Sequence, residues 1–223
     1  MKHPLRIALA AALVGVLAAF VPVGWRMVVP GAPAPPAQGA PWQVALPAAG
    51  RSEVFGLALP GATLADARAR AGDELQVALI AGADGALALE AYLERFVAGG
   101  IEGRLLLSFD ADTAALARWR ERLGSEPTAS GARRHALDAQ AQAEAGSAPL
   151  AGIGFIPSAQ LDAAMLQGRF GEPAERIGFG QRIEHWLYPA TGMAVALDRD
   201  GRELLQYVAP SDFERRLAAP LRR

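Results

Sequence analysis

The chain has 223 residues, 52% of them hydrophobic, with 22 basic residues, 23 acidic residues and no cysteine. That length suits one globular domain or two small ones, and a net charge of -1 supplies no field for gathering nucleic acid. The absence of cysteine excludes thiol catalysis, disulfides, cysteine zinc sites, cysteine-ligated iron–sulfur clusters and the acylated cysteine of a lipoprotein.

Residues 7–25 read IALAAALVGVLAAFVPVGW, without a charge, behind Lys2 and Arg6 and ahead of Arg26. A membrane-spanning helix needs about 20 mostly apolar residues, and Trp25 stands where an interfacial aromatic would sit. A signal peptide would carry a shorter apolar run, about 7–15 residues, closing on a small-x-small site. The nearest such site, Ala32-Pro33-Ala34, lies past the apolar run and is followed by Pro35. The expectation is a cytoplasmic leader at 1–6 and a retained anchor at 7–27, spanning the inner membrane once through residues 7–25. More basic residues precede the span than follow it, which places the C-terminal domain in the periplasm. Residues 28–41 form a Pro/Ala-rich linker whose composition favours extended polyproline II over a packed core. Beyond it, 19 basic residues face 23 acidic ones, for a net charge of -4. Lys2 is the only lysine, so every base there is arginine. A GC-rich genome accounts for that bias more simply than phosphate recognition by guanidinium forks.

The soluble part opens with SEVFGLAL (52–59), which reads as one short strand before a Pro60-Gly61 turn. Thr63 can cap a helix over 64–71, closed by Gly72. Apolar runs at 75–81 and 103–109 read as strands. Leu89, Tyr92, Leu93, Phe96 and Val97 between them have helical spacing, while comparison with 183–189 argues for a strand. Asp110 or Asp112 caps a helix reaching Leu123, and 126–131 reads as a loop. A strand over 133–137 and a short helix over 138–145 precede a Gly/Ser/Pro break at 146–149. After the apolar run 150–156, Ser158 is expected to cap a helix with Leu161, Met165 and Leu166 on one face. Strands follow near 174–179, 183–189, 192–197 and 203–208, with Asp198–Gly201 as a hairpin turn. Ser211 or Asp212 caps a closing helix that returns Phe213 and Leu217 to the body.

The two halves echo each other. Residues 59–80 parallel 156–179, with Pro60 beside Pro157 and Gly72 beside Gly171. Residues 89–112 parallel 183–201, setting Glu90 against Glu184, Tyr92 against Trp186 and Gly100-Ile101 against Gly192-Met193. The expected fold class is α+β, helices packed on antiparallel sheet, as two related modules at 42–148 and 149–223. A capped helix ending in Phe170-Gly171-Glu172-Pro173, a strand, Trp186-Leu187-Tyr188, a Gly-led strand and an Asp-Gly turn resemble the SmpA/OmlA (BamE-like) module. In tandem, that module is similar to β-lactamase-inhibitor protein. The resemblance covers 156–208 better than 59–112, and the chain departs from the lipoproteins in lacking their acylated cysteine. It implies a helix-on-sheet domain used for protein contact.

Residues that carry chemistry are sparse. His3 precedes the anchor, His135 sits among arginines, and strand alternation would send Glu184 and His185 to opposite faces. Asp198-Arg199-Asp200-Gly201 lacks the flanking ligands of a calcium loop. Gly152-Ile153-Gly154 lacks the third glycine and helix of a dinucleotide fingerprint, and reads as a closely packed strand. No catalytic residue, metal site or cofactor is assigned. Trp186, Tyr188 and Tyr207 are the candidate protein-contact residues, since rigid aromatics dominate interface hot spots, and the core is their competing destination. The function expected is a membrane-anchored extracytoplasmic module that binds an envelope protein or aids an assembly, without nucleic acid. A membrane-surface hydrolase using Asp/Glu chemistry and a secreted inhibitor-like protein are the alternatives.

Overall fold

The computed structural model describes residues 39–82, 84–128, 131–199 and 202–222. The expected leader, anchor and most of the linker lie outside the described residues. So do Asp200 and Gly201 of the expected hairpin turn.

The stretch expected as one strand is a tight hairpin. Strands β1 (Ser52–Val54) and β2 (Leu57–Leu59) pair antiparallel across Phe55-Gly56. Both turn residues have positive φ, 55° and 79°, the pattern of a two-residue hairpin turn, where asparagine or glycine is usual. Phenylalanine at such a position costs about 1–2 kcal/mol in backbone sterics. Its ring offsets that cost. It packs edge-on against Phe96, Phe155 and Tyr207, with centroids 5.4, 5.5 and 5.7 Å away.

Helix α1 (Leu64–Ala71) carries a full capping box: Asp66 N–H donates to Thr63 Oγ1, and Asp66 accepts from the Thr63 N–H. Next comes a meander of β3 (Gln76–Ala81), β4 (Leu87–Ala98) and β5 (Ile101–Phe109). Residues 89–98 are therefore strand, not helix, and Gly99-Gly100 supply the positive φ of the β4–β5 turn. Helix α2 (Thr113–Arg122) is capped by Asp112. The expected 126–131 loop holds a two-residue edge strand, β6 (Glu126–Pro127), paired with β7 (Arg133–Ala136). Helix α3 (Ala139–Ala145), capped by Asp138, leads to β8 (Leu150–Pro157).

Ser158 does not cap the next helix. Arg202 binds the Pro157 and Ser158 carbonyls, and buried Glu203 accepts the Leu161 N–H at 3.1 Å. These contacts hold 158–161 outside the helix, and α4 (Ala163–Phe170) starts from Asp162. Leu161 and Leu166 are buried, while Met165, expected beside them, is 45% exposed. Strands β9 (Glu175–Phe179), β10 (Ile183–Tyr188), β11 (Met193–Asp198) and β12 (Leu204–Tyr207) follow. The closing segment is helical without a side-chain cap at Ser211 or Asp212. It runs from a 3-10 turn (Pro210–Asp212) through a π turn (Glu214–Ala218) to one α turn (Ala219–Leu221).

The fold is thus α+β, with ten strands in one antiparallel sheet ordered β6-β7-β3-β4-β5-β8-β12-β11-β10-β9. The expected boundary at 148/149 falls inside this continuous sheet. On each side, an eight-residue helix precedes a three-stranded meander whose last strand, β5 or β11, turns inward. Strands β8 and β12 lie between the two meanders. The helix ends match closely: Gly72 has φ 82°, ψ -173° and Gly171 has φ 78°, ψ -169°. The expected pairing of Glu90 with Glu184 and of Tyr92 with Trp186 is corrected. Leu89, Ala91 and Leu93 face the main core, as do Trp186 and Tyr188, so Glu90 and Tyr92 face the opposite way. A one-residue slip in a strand exchanges its faces.

Replacing Phe55 by asparagine tests whether packing or turn geometry dominates. It relieves the cost of a left-handed phenylalanine but removes a buried ring, whose loss is worth about 3–5 kcal/mol. The expected outcome in denaturant unfolding is a net destabilisation of about 2–3 kcal/mol; unchanged or raised stability would show that the turn governs.

Candidate functional site

Helices α1 to α4 and the β1–β2 hairpin pack on one face of the sheet, where the main core includes Leu64, Leu116, Ala141 and Leu166 beside Leu79, Leu107, Phe155 and Val195. The other face is covered only in part. The C-terminal segment lays Phe213, Leu217 and Ala218 over Leu187, Ala194 and Val208 in a second, smaller cluster. Beyond its edge, across β4, β5, β8 and β12, the sheet carries a groove of about 530 Å3.

Alternation sets the lining. Leu105, Leu107, Ile153, Phe155, Leu205 and Tyr207 point into the main core, leaving Leu106, Ser108, Gly152, Gly154, Leu204 and Gln206 on the groove side. Register places Glu90 opposite Ser108, and Ser108 opposite Gly152. One residue pair along, Tyr92, Leu106, Gly154 and Gln206 form a row across four strands. The expectation of close packing at Gly152-Ile153-Gly154 becomes specific here. A Cβ on Gly152 would stand 3.1 Å from Ser108 Oγ, whereas one on Gly154 would meet only ordinary contact, 3.4 Å from Leu106 Cβ. Two glycines one residue apart lower the floor of the groove to backbone level.

The rim is charged but internally balanced. Arg215 donates to Asp212 at 2.8 Å, and Arg216 bridges Asp212 and Asp110. The Arg215 hydrogen bond holds the Asp212 carboxyl below its ordinary range. Glu90 differs. It takes part in no hydrogen bond or ion pair among the described residues, and partial burial raises its carboxyl above the usual value.

The residues expected to contact a partner are core residues instead. Trp186, Tyr188 and Tyr207 are 2%, 7% and 1% exposed. Their polar atoms are satisfied inside the fold: Trp186 Nε1 donates to Glu184, Tyr188 to the Gly171 carbonyl and Tyr207 to the Pro41 carbonyl. Arg176 stacks over the Trp186 ring at 4.4 Å. The aromatic contact patch is thus corrected: these strands bury one face against helices, and all three side chains lie on it. Glu184 and His185 do diverge. Glu184 reaches Trp186 on the core side, while half-buried His185 is lowered in pKa by desolvation, with Nδ1 unpartnered. His135, set among arginines in the sequence, is 5% exposed and shares its Nδ1 with the Leu123 carbonyl at 3.1 Å. Among the described residues no group of three or more His, Asp or Glu side chains is placed to hold a metal. Among the described residues Glu90 is the one acid that lines the groove, and no second carboxylate stands beside it there.

Glu90 and Ser108 escaped the sequence reading because each lies in a run dominated by its inward neighbours. The available signal was the polar alternation of Glu90 and Ser108 with Leu89, Ala91, Leu107 and Phe109.

A raised carboxyl makes Glu90 cost stability once it ionises: its contribution is fully present at low pH and is lost as pH rises through its folded pKa. Glu90→Gln is therefore expected to melt above the wild type near about pH 7.5 and to match it near about pH 3.5. Thermal unfolding by circular dichroism reads this directly, and a variant that melts lower at the higher pH would refute it.

Set beside family models, curated proteins and solved structures, the chain matches none of them.

Proposed function

We propose that this chain is a membrane-anchored module of the bacterial cell envelope that holds a polypeptide segment in the open-face groove. The observation that supports this reading most is the asymmetry of the sheet. One face is sealed by four helices, while the other bears a groove floored at backbone level by Gly152 and Gly154. Rows of alternating apolar and polar side chains, such as Leu106 with Ser108 and Leu204 with Gln206, suit an extended chain whose residues alternate likewise. The volume lies within the ordinary range for ligand sites, about 300–1,000 Å3. The groove is open to solvent and not an enclosed cavity, which favours a polymer over an enclosed small molecule.

The anchor and the periplasmic placement rest on residues 7–25, outside the described residues. Among the described residues no helix is long and apolar enough to cross a membrane. The two-module reading rests on the repeated helix-plus-meander order and the matching Gly72 and Gly171 caps. With the Trp186-Leu187-Tyr188 strand, these also support the likeness to a tandem SmpA/OmlA module.

Two experiments test the proposal. An alkaline phosphatase fusion after residue 50 is expected to be active in intact cells; an inactive fusion overturns the periplasmic placement. For the groove, a photo-crosslinking residue at Gln206 is expected to trap a polypeptide in cells, while one at exposed Arg120 on α2 does not. Gly154→Ile fills the floor with a strand-compatible side chain and is expected to cut the Gln206 adduct by about tenfold or more. Equal adducts at both positions, or no effect of Gly154→Ile in a folded variant, overturn the groove as the site.

A further inference from the structure

The groove contains two arginines and one glutamate, yet electrostatically only the glutamate is open. Arg215 and Arg216 are balanced by Asp212 and Asp110. Glu90 lines the same groove without a counter-charge among the described residues. An ionised carboxylate that is partly removed from water and left unpaired is destabilising, and the condition is relieved by a cation supplied from outside. With the arginines balanced, Glu90 leaves the groove with one uncompensated negative charge, so an anionic occupant would meet no free partner and an added repulsion.

Geometry narrows the cation to one on a long stem. Ser108 faces Glu90 directly across β4 and β5, and side chains directly opposite in an antiparallel pair stand about 4.5–5.5 Å apart at Cβ. An ammonium or guanidinium placed between them has the Glu90 carboxylate and the Ser108 hydroxyl as acceptors. Ser108 Oγ is only loosely engaged, 3.5 Å from the Gly152 carbonyl. The approach to this pair from the groove centre passes over Gly154, with half-buried Leu106 and Leu204 on either side. A methylene stem can lie along that apolar strip while its charged end reaches Glu90.

We propose that Glu90, with Ser108, makes the groove selective for a polypeptide segment that presents a lysine or arginine side chain. The proposal rests on the docking reading above and specifies the chemistry of the partner. Selectivity arises because a basic side chain completes the groove's charge, whereas a neutral one leaves Glu90, exposed on the groove side of β4, without a counter-charge.

The test uses the full-length chain in detergent micelles and an array of nine-residue peptides with mixed apolar and serine flanks. The central residue is lysine, arginine, acetyl-lysine, alanine or glutamate. Lysine and arginine peptides are expected to be retained about tenfold more strongly than alanine or acetyl-lysine peptides, with the difference shrinking in high salt. Glu90→Gln is expected to erase the preference, and Glu90→Lys to transfer it to the glutamate peptides. Circular dichroism and tryptophan fluorescence establish that both variants are folded. Retention independent of the central residue overturns the charge selectivity while leaving the docking reading in place. A preference that survives Glu90→Gln assigns it to another residue and overturns the proposal. Retention of no peptide, together with no Gln206 adduct in cells, overturns both readings.

Discussion

Edge-to-face packing of four aromatic rings is the constraint on which the rest of this domain depends. Phe96 from β4, Phe155 from β8, Tyr207 from β12 and Phe55 from the β1–β2 turn meet with neighbouring centroids 5.4 to 6.4 Å apart. Three of these strands belong to parts of the sheet far apart in sequence. The fourth ring comes from a hairpin outside it and is held in a left-handed backbone conformation to reach them. The Tyr207 hydroxyl, wholly buried and raised well above its ordinary pKa, closes the assembly by donating to the Pro41 carbonyl at 2.7 Å. The first described residues of the chain and its last strand are thereby tied to one cluster. With this face fixed by close packing, the opposite face of the same strands can carry polar residues and glycines.

Much of the architecture was legible because its elements announce themselves locally. Thr63 caps its helix as expected, Asp112 is the one of the two candidate aspartates that caps the next, and Gly72 and Gly171 end their helices as expected. The apolar runs at 75–81 and 103–109 are strands, as they read. Errors arose where distant residues decide. Glu203 and Arg202 hold the backbone at 158–161 out of the helix that Ser158 would start. The hairpin at Phe55 is unreadable from its two residues alone, because its justification is a cluster assembled from residues up to 207. Trp186, Tyr188 and Tyr207 have the composition of a contact patch and the location of a core. Alternation shows that Trp186 and Tyr188 share a face but not which face is covered.

The groove illustrates the same limit from the other side. Its lining is ordinary in sequence, and Gly152-Ile153-Gly154 invites a nucleotide-binding reading that its context refuses. What makes the place distinctive is a coincidence of register: a serine opposite a glutamate, two glycines on the adjacent strand, and a C-terminal segment that stops short of them. When ionised, Glu90 carries a stability cost here, because desolvation raises its carboxyl. Natural domains accept such costs chiefly where they gain function.

The position of β12 has a further consequence for how the molecule comes into being. This strand is the last among the described residues, yet it occupies the middle of the sheet, hydrogen-bonded to β8 on one side and β11 on the other. A polypeptide emerging N-terminus first can build the β3–β5 meander early from local contacts. The β9–β11 meander has no route into the sheet until residues 204–207 arrive. The second meander therefore joins the sheet only once residues 204–207 have been made. Such late, long-range closure slows folding and exposes apolar strands meanwhile. A cut that removes β12 would part the β9–β11 meander from β8 and cost far more than the four residues it contains.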